Sequence, residues 1–197
     1  MSSPPSTAGV QDIFALFAAQ GAGDYVGEAV SQEAHGLQAA ALAAAAGAAP
    51  AVIAAALLHD VGHMLGLAAP PGTYARMGDC GIMAHEGLGA AFLAARGLPP
   101  LVCELVRRHV DAKRYLVATT PGYALSPASV VTLGYQGGPM SPAEVAAFDA
   151  DPLKQTILAM RRWDEAAKVP GAVVPPLEAH RAMLEQLAAS GGGSAAA

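Results

Sequence analysis

From Ala39 to Leu58 the chain is an unbroken apolar run, and no other stretch restricts its fold as much. A run of that length either crosses a bilayer or lies in a core. Three features favour the core. Most of the run is alanine, which gains little from a lipid environment. Gly47 and Pro50 interrupt it, with Pro50 placed to open a second helix. The run then enters His59-Asp60, a pair that would be costly inside a bilayer. The expectation is two buried helices of a soluble core, with no membrane partner.

The rest of the composition agrees. The 197 residues suffice for one domain with a sizeable core. Charged residues make up 14%, well under the roughly 25% of an average domain, and aromatic residues only 5%. Such a core must come from leucine, valine and closely packed alanine-rich helices, which predicts an all-α fold. The net charge is −5, and no basic run is longer than Arg107-Arg108 or Lys113-Arg114. A phosphate backbone needs a clustered basic surface, so a nucleic-acid partner is not expected. Cys80 and Cys103 form no C-x-x-C pair and read as free thiols. MSSPPSTAGV has neither a positive region nor an apolar stretch, so a cytoplasmic protein without a secretory signal is expected.

Residues 1–10 and 190–197, including the SGGGSAAA end, are expected to be flexible, leaving 11–189 as the domain. Helices are predicted near 11–20, 28–47, 50–61, 84–96, 99–118, 126–134, 142–148, 152–168 and 176–189. Pro100 and Pro152 sit near helix starts, Gly47 and Gly97 near ends, and Ser141 with Glu144 forms a capping-box pattern. Residues 66–82, rich in Gly and Pro, form the longest predicted loop and could border a site.

The chemistry lies in the six histidines, His35, His59, His63, His85, His109 and His180. Taken singly, a histidine among apolar helical residues is usually a satisfied core group. Taken together with Asp60 and Asp164 they suggest metal ligands, since imidazole and carboxylate both suit a borderline divalent ion. His63 shares a helical face with His59. Glu28, Gln32 and His35 are spaced to share a face of the predicted helix, with Tyr25 just before it. Lys113 follows His109 by four residues, and Arg161 precedes Asp164 by three. Each pairing puts a cation beside a possible ligand, which suggests an anion site next to metal. Arg162 and Glu165 read as a solvated face.

The series His35 … His59-Asp60 … His85 … His109 … Asp164 resembles the HD-domain superfamily in its dinuclear form. The words YVGEAVSQEAH, AALLHDVGH, AHEGLGAAFL, HVDAKRYL, YQGGPMSPAEVAAF and RRWDEAAK resemble more narrowly the small HD oxygenases that cleave 1-hydroxyphosphonates. That resemblance implies a single helical HD bundle and a mixed-valent Fe(II)/Fe(III) pair with O2 as co-substrate. His35, His59, Asp60 and Asp164 would hold one iron; Asp60 would bridge to a second, completed by His85 and His109. Lys113, Ser129, Arg161 and His63 would hold the phosphonate, with Glu28 and Gln32 also lining the substrate's place. Tyr25 and Glu28 would close over the first iron, Glu28 meeting any cationic amino group. Tyr25, Glu28, His63 and Lys113 are thus the residues implied to work at the reacting centre.

The implied reaction is oxidative cleavage of the C–P bond of 2-amino-1-hydroxyethylphosphonate or its N-trimethyl analogue. Its products would be phosphate and glycine or glycine betaine. A 2-oxoglutarate-dependent hydroxylase supplying the substrate is the implied functional partner. An HD phosphohydrolase acting on a nucleotide or other phosphate ester would use the same ligands, and a ligand-sensing module is a third reading. His and Asp alone do not choose iron over manganese or zinc.

Overall fold

The computed structural model describes residues 5–25 and 27–191. Among them are ten α-helices and no strand, only the isolated bridges Asp24–Ser31 and Arg76–Ile82. In order they are α1 (Pro5–Gln20), α2 (Gln32–Ala45), α3 (Pro50–Leu58), α4 (Val61–Ala68), α5 (His85–Ala94), α6 (Pro100–Thr119), α7 (Pro127–Tyr135), α8 (Pro142–Asp149), α9 (Lys154–Ala166) and α10 (Arg181–Gly191). A 3₁₀ turn, Leu177–His180, leads into α10. The all-α expectation holds.

Small side chains decide how the centre is built. Ala39, Ala43, Ala56 and Ala167 form a buried patch where α2, α3 and the end of α9 meet. Gly36 lies so close to α3 that an added Cβ would sit 2.6 Å from the Leu57 carbonyl oxygen. Helices carrying larger residues there would stand farther apart. The larger core lies around this patch, with Ile13 and Phe17 of α1, Leu57 and Leu58 of α3, Leu93 of α5, Leu105 of α6, Ile157 of α9 and Leu184 of α10 all fully buried or nearly so. Each such side chain contributes about 1.5–3 kcal/mol by leaving water.

The apolar run divides at Gly47 and Pro50 as expected, with Pro50 the first residue of α3. Pro50–Ala68 is long and apolar enough to pass for a membrane span, but most of it is buried inside the fold. His59 and Asp60 interrupt it between α3 and α4.

Four expectations change. First, α1 starts at Pro5 rather than near residue 11, because Val10 is fully buried and the helix packs on α4 and α10. Residues 5–10 are therefore part of the fold, while 1–4 lie outside the described residues. Second, α10 runs through Ser190 and Gly191, and the rest of the expected tail, 192–197, also lies outside them. Third, α2 begins at Gln32, not 28: Ser31 caps it, its side chain accepting from the Ala34 amide at 3.1 Å. Glu28 thus sits in the turn before the helix and does not share a helical face with Gln32 and His35. Fourth, Val61–Ala68 is a helix of its own, which shortens the predicted 66–82 loop at its start.

Candidate metal centre and anion cleft

Close packing of α2 on α3 sets the first ligand group. His35 Nε2 lies 3.2 Å from His59 Nε2 and 3.3 Å from Asp164 Oδ1, and His59 Nε2 lies 3.3 Å from Asp60 Oδ2. The other oxygen of Asp60 faces a second group. Its Oδ1 is 3.2 Å from His85 Nε2 and 3.4 Å from His109 Nε2, which are 3.2 Å from each other. Ligands about 2.1 Å from a shared ion stand roughly 3.0–3.4 Å apart, so both groups have the spacing of a coordination sphere. All six side chains are buried.

The outer nitrogens fix how the rings point. His35 Nδ1 donates to the Ala167 carbonyl at 2.9 Å, His59 Nδ1 to Ala56 at 2.8 Å and His109 Nδ1 to Val106 at 2.8 Å. With the proton held there, each Nε2 lone pair faces the centre. His85 Nδ1 has only the Glu86 carboxylate, 3.3 Å away and outside hydrogen-bond geometry. Its place depends on Gly62, where a Cβ would meet the His85 carbonyl oxygen at 2.0 Å, and on Ala84. With φ +53, Ala84 is the one non-glycine among the described residues in the left-handed region.

Inward-facing imidazole lone pairs beside two carboxylates repel one another unless a cation sits among them. Asp164 Oδ1 is buried and accepts no hydrogen bond. That orphaned oxygen and the donor set fit a pair of divalent ions sharing Asp60. Without them the charge falls on protons. Burial opposes charge on His59, but Asp60 and Asp164 outweigh it and raise its pKa to about 9. Burial also opposes ionisation of Asp60, yet His59, His109 and His85 hold its carboxyl well below the usual range. For Asp164 the Arg161 guanidinium does the same against burial.

His63 is also within ligand range of Asp60 and His85. Its Nδ1, however, accepts from the Ile82 amide at 3.1 Å, which leaves the ring proton on Nε2. It stacks on His85 at 3.9 Å, and burial together with His85 lowers its pKa well below the ordinary value. A neutral N–H donor at the edge of the centre is the better description.

Above the ligands lies a cleft of about 70 Å³ lined by Tyr25, Glu28, Gln32, Lys113, Ser129 and Arg161, with His63 and the exposed sides of the ligands. His35 and His59 do not line it; they stand behind Asp60 and Asp164, which do. Every site residue expected from the sequence is brought to this one place. Tyr25 stacks on His35 at 3.9 Å, and burial, Asp60 and Asp164 together raise its pKa, keeping the phenol protonated. Lys113 Nζ donates to Thr132 Oγ1 at 2.8 Å; burial and Arg161 lower its pKa to about 8. Arg161 donates to Asp164 Oδ2 at 2.6 Å and to Glu165 Oε1 at 2.8 Å from its other terminal nitrogen. Tyr123 donates its hydroxyl to the same Glu165 oxygen. Glu165 is therefore a brace for Arg161 rather than part of a solvated face; Arg162 is exposed as expected. His180 stands apart from the cleft.

Sequence reasoning missed Met77, Cys80, Thr132, Gln136 and Lys168 among the lining residues. Of these Lys168 had a signal, four residues after Asp164 within RRWDEAAK.

The HD domain family matches residues 33–155. The chain is 41% identical over 161 residues to a [1-hydroxy-2-(trimethylamino)ethyl]phosphonate dioxygenase (glycine-betaine-forming) of Leisingera caerulea, covering 81% of this chain and 80% of that one. It is 39% identical over 178 residues to a hydroxymethylphosphonate dioxygenase of Gimesia maris, covering 89% and 86%. An uncharacterized protein, L432, of Acanthamoeba polyphaga mimivirus is 37% identical over 184 residues, covering 92% and 83%. The chain belongs to the HD-domain family. Within this HD protein the family segment holds His35 to His109 with Lys113 and Ser129, whereas Tyr25, Glu28, Arg161, Asp164 and Lys168 fall outside it. The HD scaffold is thus completed by the turn before α2 and by α9.

Proposed function

We propose that the protein cleaves the C–P bond of a small 1-hydroxyphosphonate with O2 and two iron ions, giving phosphate and a carboxylate. The observation that carries the reading is one carboxylate, Asp60, shared by two ligand groups beneath a cleft that holds Lys113 and Arg161. Relatives named as hydroxyphosphonate dioxygenases support oxidation over hydrolysis at such a centre. The reaction balances as R–CH(OH)–PO3²⁻ + O2 → R–COO⁻ + HPO4²⁻ + H⁺. C1 loses its hydrogen and its bond to phosphorus, and O2 is fully reduced into the two products. From 2-amino-1-hydroxyethylphosphonate the carboxylate is glycine; from the trimethylammonio compound it is glycine betaine. A hydroxylase that installs the C1 hydroxyl, of the 2-oxoglutarate-dependent class, would supply the substrate.

His35, His59, Asp60 and Asp164 would hold one iron and Asp60, His85 and His109 the other, both with positions left open. When bound, the pair supplies electron transfer to O2 and Lewis acidity toward the substrate oxygens. The chain's own residues do the rest. Arg161, fixed by Asp164 and Glu165, presents a permanent charge to the phosphonate. Lys113 has donors to spare beyond Thr132. His63 offers its Nε2 proton as a neutral donor, and buried Ser129 adds a hydroxyl. Tyr25, a protonated phenol over His35, covers the first ligand group and excludes water from it.

The test loads the protein with iron anaerobically, supplies 1-hydroxyphosphonates, admits O2 and assays phosphate. Release that needs O2 and that Asp60→Ala lacks is the expected result. Phosphate-ester hydrolysis without O2, and no release from phosphonates, would replace this reading with a phosphohydrolase.

A further inference from the structure

One ion pair in the cleft has no part in the reaction just described. Lys168 Nζ donates to Glu28 Oε1 at 2.6 Å, across 140 residues of chain. The two side chains are only 16% and 18% exposed, and the ammonium lies 5.7 Å from the centroid of the Tyr25 ring. Lys168 is held in place from both sides. The preceding carbonyl, Ala167, accepts from His35 Nδ1. The following residue, Val169, has its N–H and its carbonyl both engaged by the buried Gln38 amide, at 3.0 and 3.1 Å. A surface lysine would wander over many rotamers, whereas this one starts from a backbone pinned by two buried side chains of α2.

We infer that Lys168 neutralises Glu28 from within the chain, so that this end of the cleft takes a substrate with a small, uncharged tail, of the hydroxymethylphosphonate class, in preference to one bearing an ammonium. The inference rests on the reading under Proposed function and narrows it. A substrate ammonium reaching Glu28 would have to displace Lys168 or share one carboxylate with it, two cations side by side in a partly desolvated place. A hydrogen in place of that tail asks nothing of Glu28 and leaves its pair with Lys168 intact. With hydrogen as the tail the reaction becomes HOCH2–PO3²⁻ + O2 → HCOO⁻ + HPO4²⁻ + H⁺.

The experiment compares hydroxymethylphosphonate, 2-amino-1-hydroxyethylphosphonate and its trimethylammonio analogue on the iron-loaded full chain. Binding is measured calorimetrically without oxygen, and phosphate release with it. The expected preference for the hydroxymethyl compound is about tenfold or more in both, the usual worth of one charge-assisted contact. Lys168→Met frees Glu28 and shifts the ratio toward the 2-amino compound by about the same factor; adding Glu28→Gln removes that shift. Lys168→Gln repeats the test should the methionine variant misfold by circular dichroism. A wild-type preference for either ammonium substrate overturns the inference and leaves the dioxygenase standing. An equal loss of affinity for all three compounds in Lys168→Met also overturns it, by making Lys168 a phosphonate ligand. No turnover of any of the three removes the dioxygenase reading and this inference together.

Discussion

The His35–His59–Asp164 group is braced at every member, whereas only His109 is braced in the group across Asp60. His35 has the Ala167 carbonyl and the Tyr25 ring, His59 has the Ala56 carbonyl, and Asp164 has Arg161. His85 has no hydrogen bond at Nδ1, stacks on His63 and follows Ala84 in a strained conformation. The braced group also owns a second carboxylate, while the other has two imidazoles and a share of Asp60. On the proposed reading the first group would keep its metal in a fixed place, and the second, with fewer protein ligands, would have more freedom to adjust.

The largest break in this comparison comes from Asp164→Ala. It removes a ligand from the braced group and leaves half of Arg161's charge pairing buried without a partner. Loss of about 3 kcal/mol of stability is expected by urea denaturation, with metal analysis giving one iron per chain instead of two. Two irons retained would show that the braced group does not need its carboxylate. Gly62→Ala strikes the other side. A Cβ 2.0 Å from the His85 carbonyl must push α4 from α5, costing about 1–3 kcal/mol. Iron should then be lost from the His85–His109 group alone, seen as a halved metal content with His35 and His59 NMR signals still shifted by metal.

A gentler change reads the lysine that lines the cleft. Burial and Arg161 disfavour charge on Lys113, so it gives up its proton as pH rises through about 8. Phosphonate kcat/KM, which reports the free enzyme, should fall above that pH and hold higher in Lys113→Arg, whose guanidinium does not titrate there. An unchanged profile in that variant would remove Lys113 from anion binding. The smallest effect is Ser31→Ala, which uncaps α2 below His35 and should cost about 1 kcal/mol in thermal unfolding. Metal content should stay at two, since Gly36 and the alanine patch, not the cap, seat α2 on α3.

How much of this was readable beforehand follows from which forces are local. Capping chemistry is local, and Pro50, Pro100 and the Ser141–Glu144 box all open helices where expected. The six candidate ligands stood out because so many imidazoles and carboxylates in apolar surroundings rarely serve only as satisfied core groups. Helix starts at Pro5 and Gln32 were not, since Val10 is buried only by distant helices and apolar periodicity runs on past Ser31 in both directions. The Glu28–Lys168 pair has no local trace. It exists because α2 and the end of α9 lie side by side, which only the tertiary fold decides.

The placement of the ligands along the chain also sets an order of birth. Asp60, His85 and His109 have all been synthesised by residue 109, so the residues of that half exist first. The other half waits for Asp164, about 55 residues and several seconds of translation later. Until then His35 and His59 face each other with no second carboxylate, and the Gln38 amide has no Val169 to grip. On the proposed reading, the residues for one ion are therefore all made before those for the other.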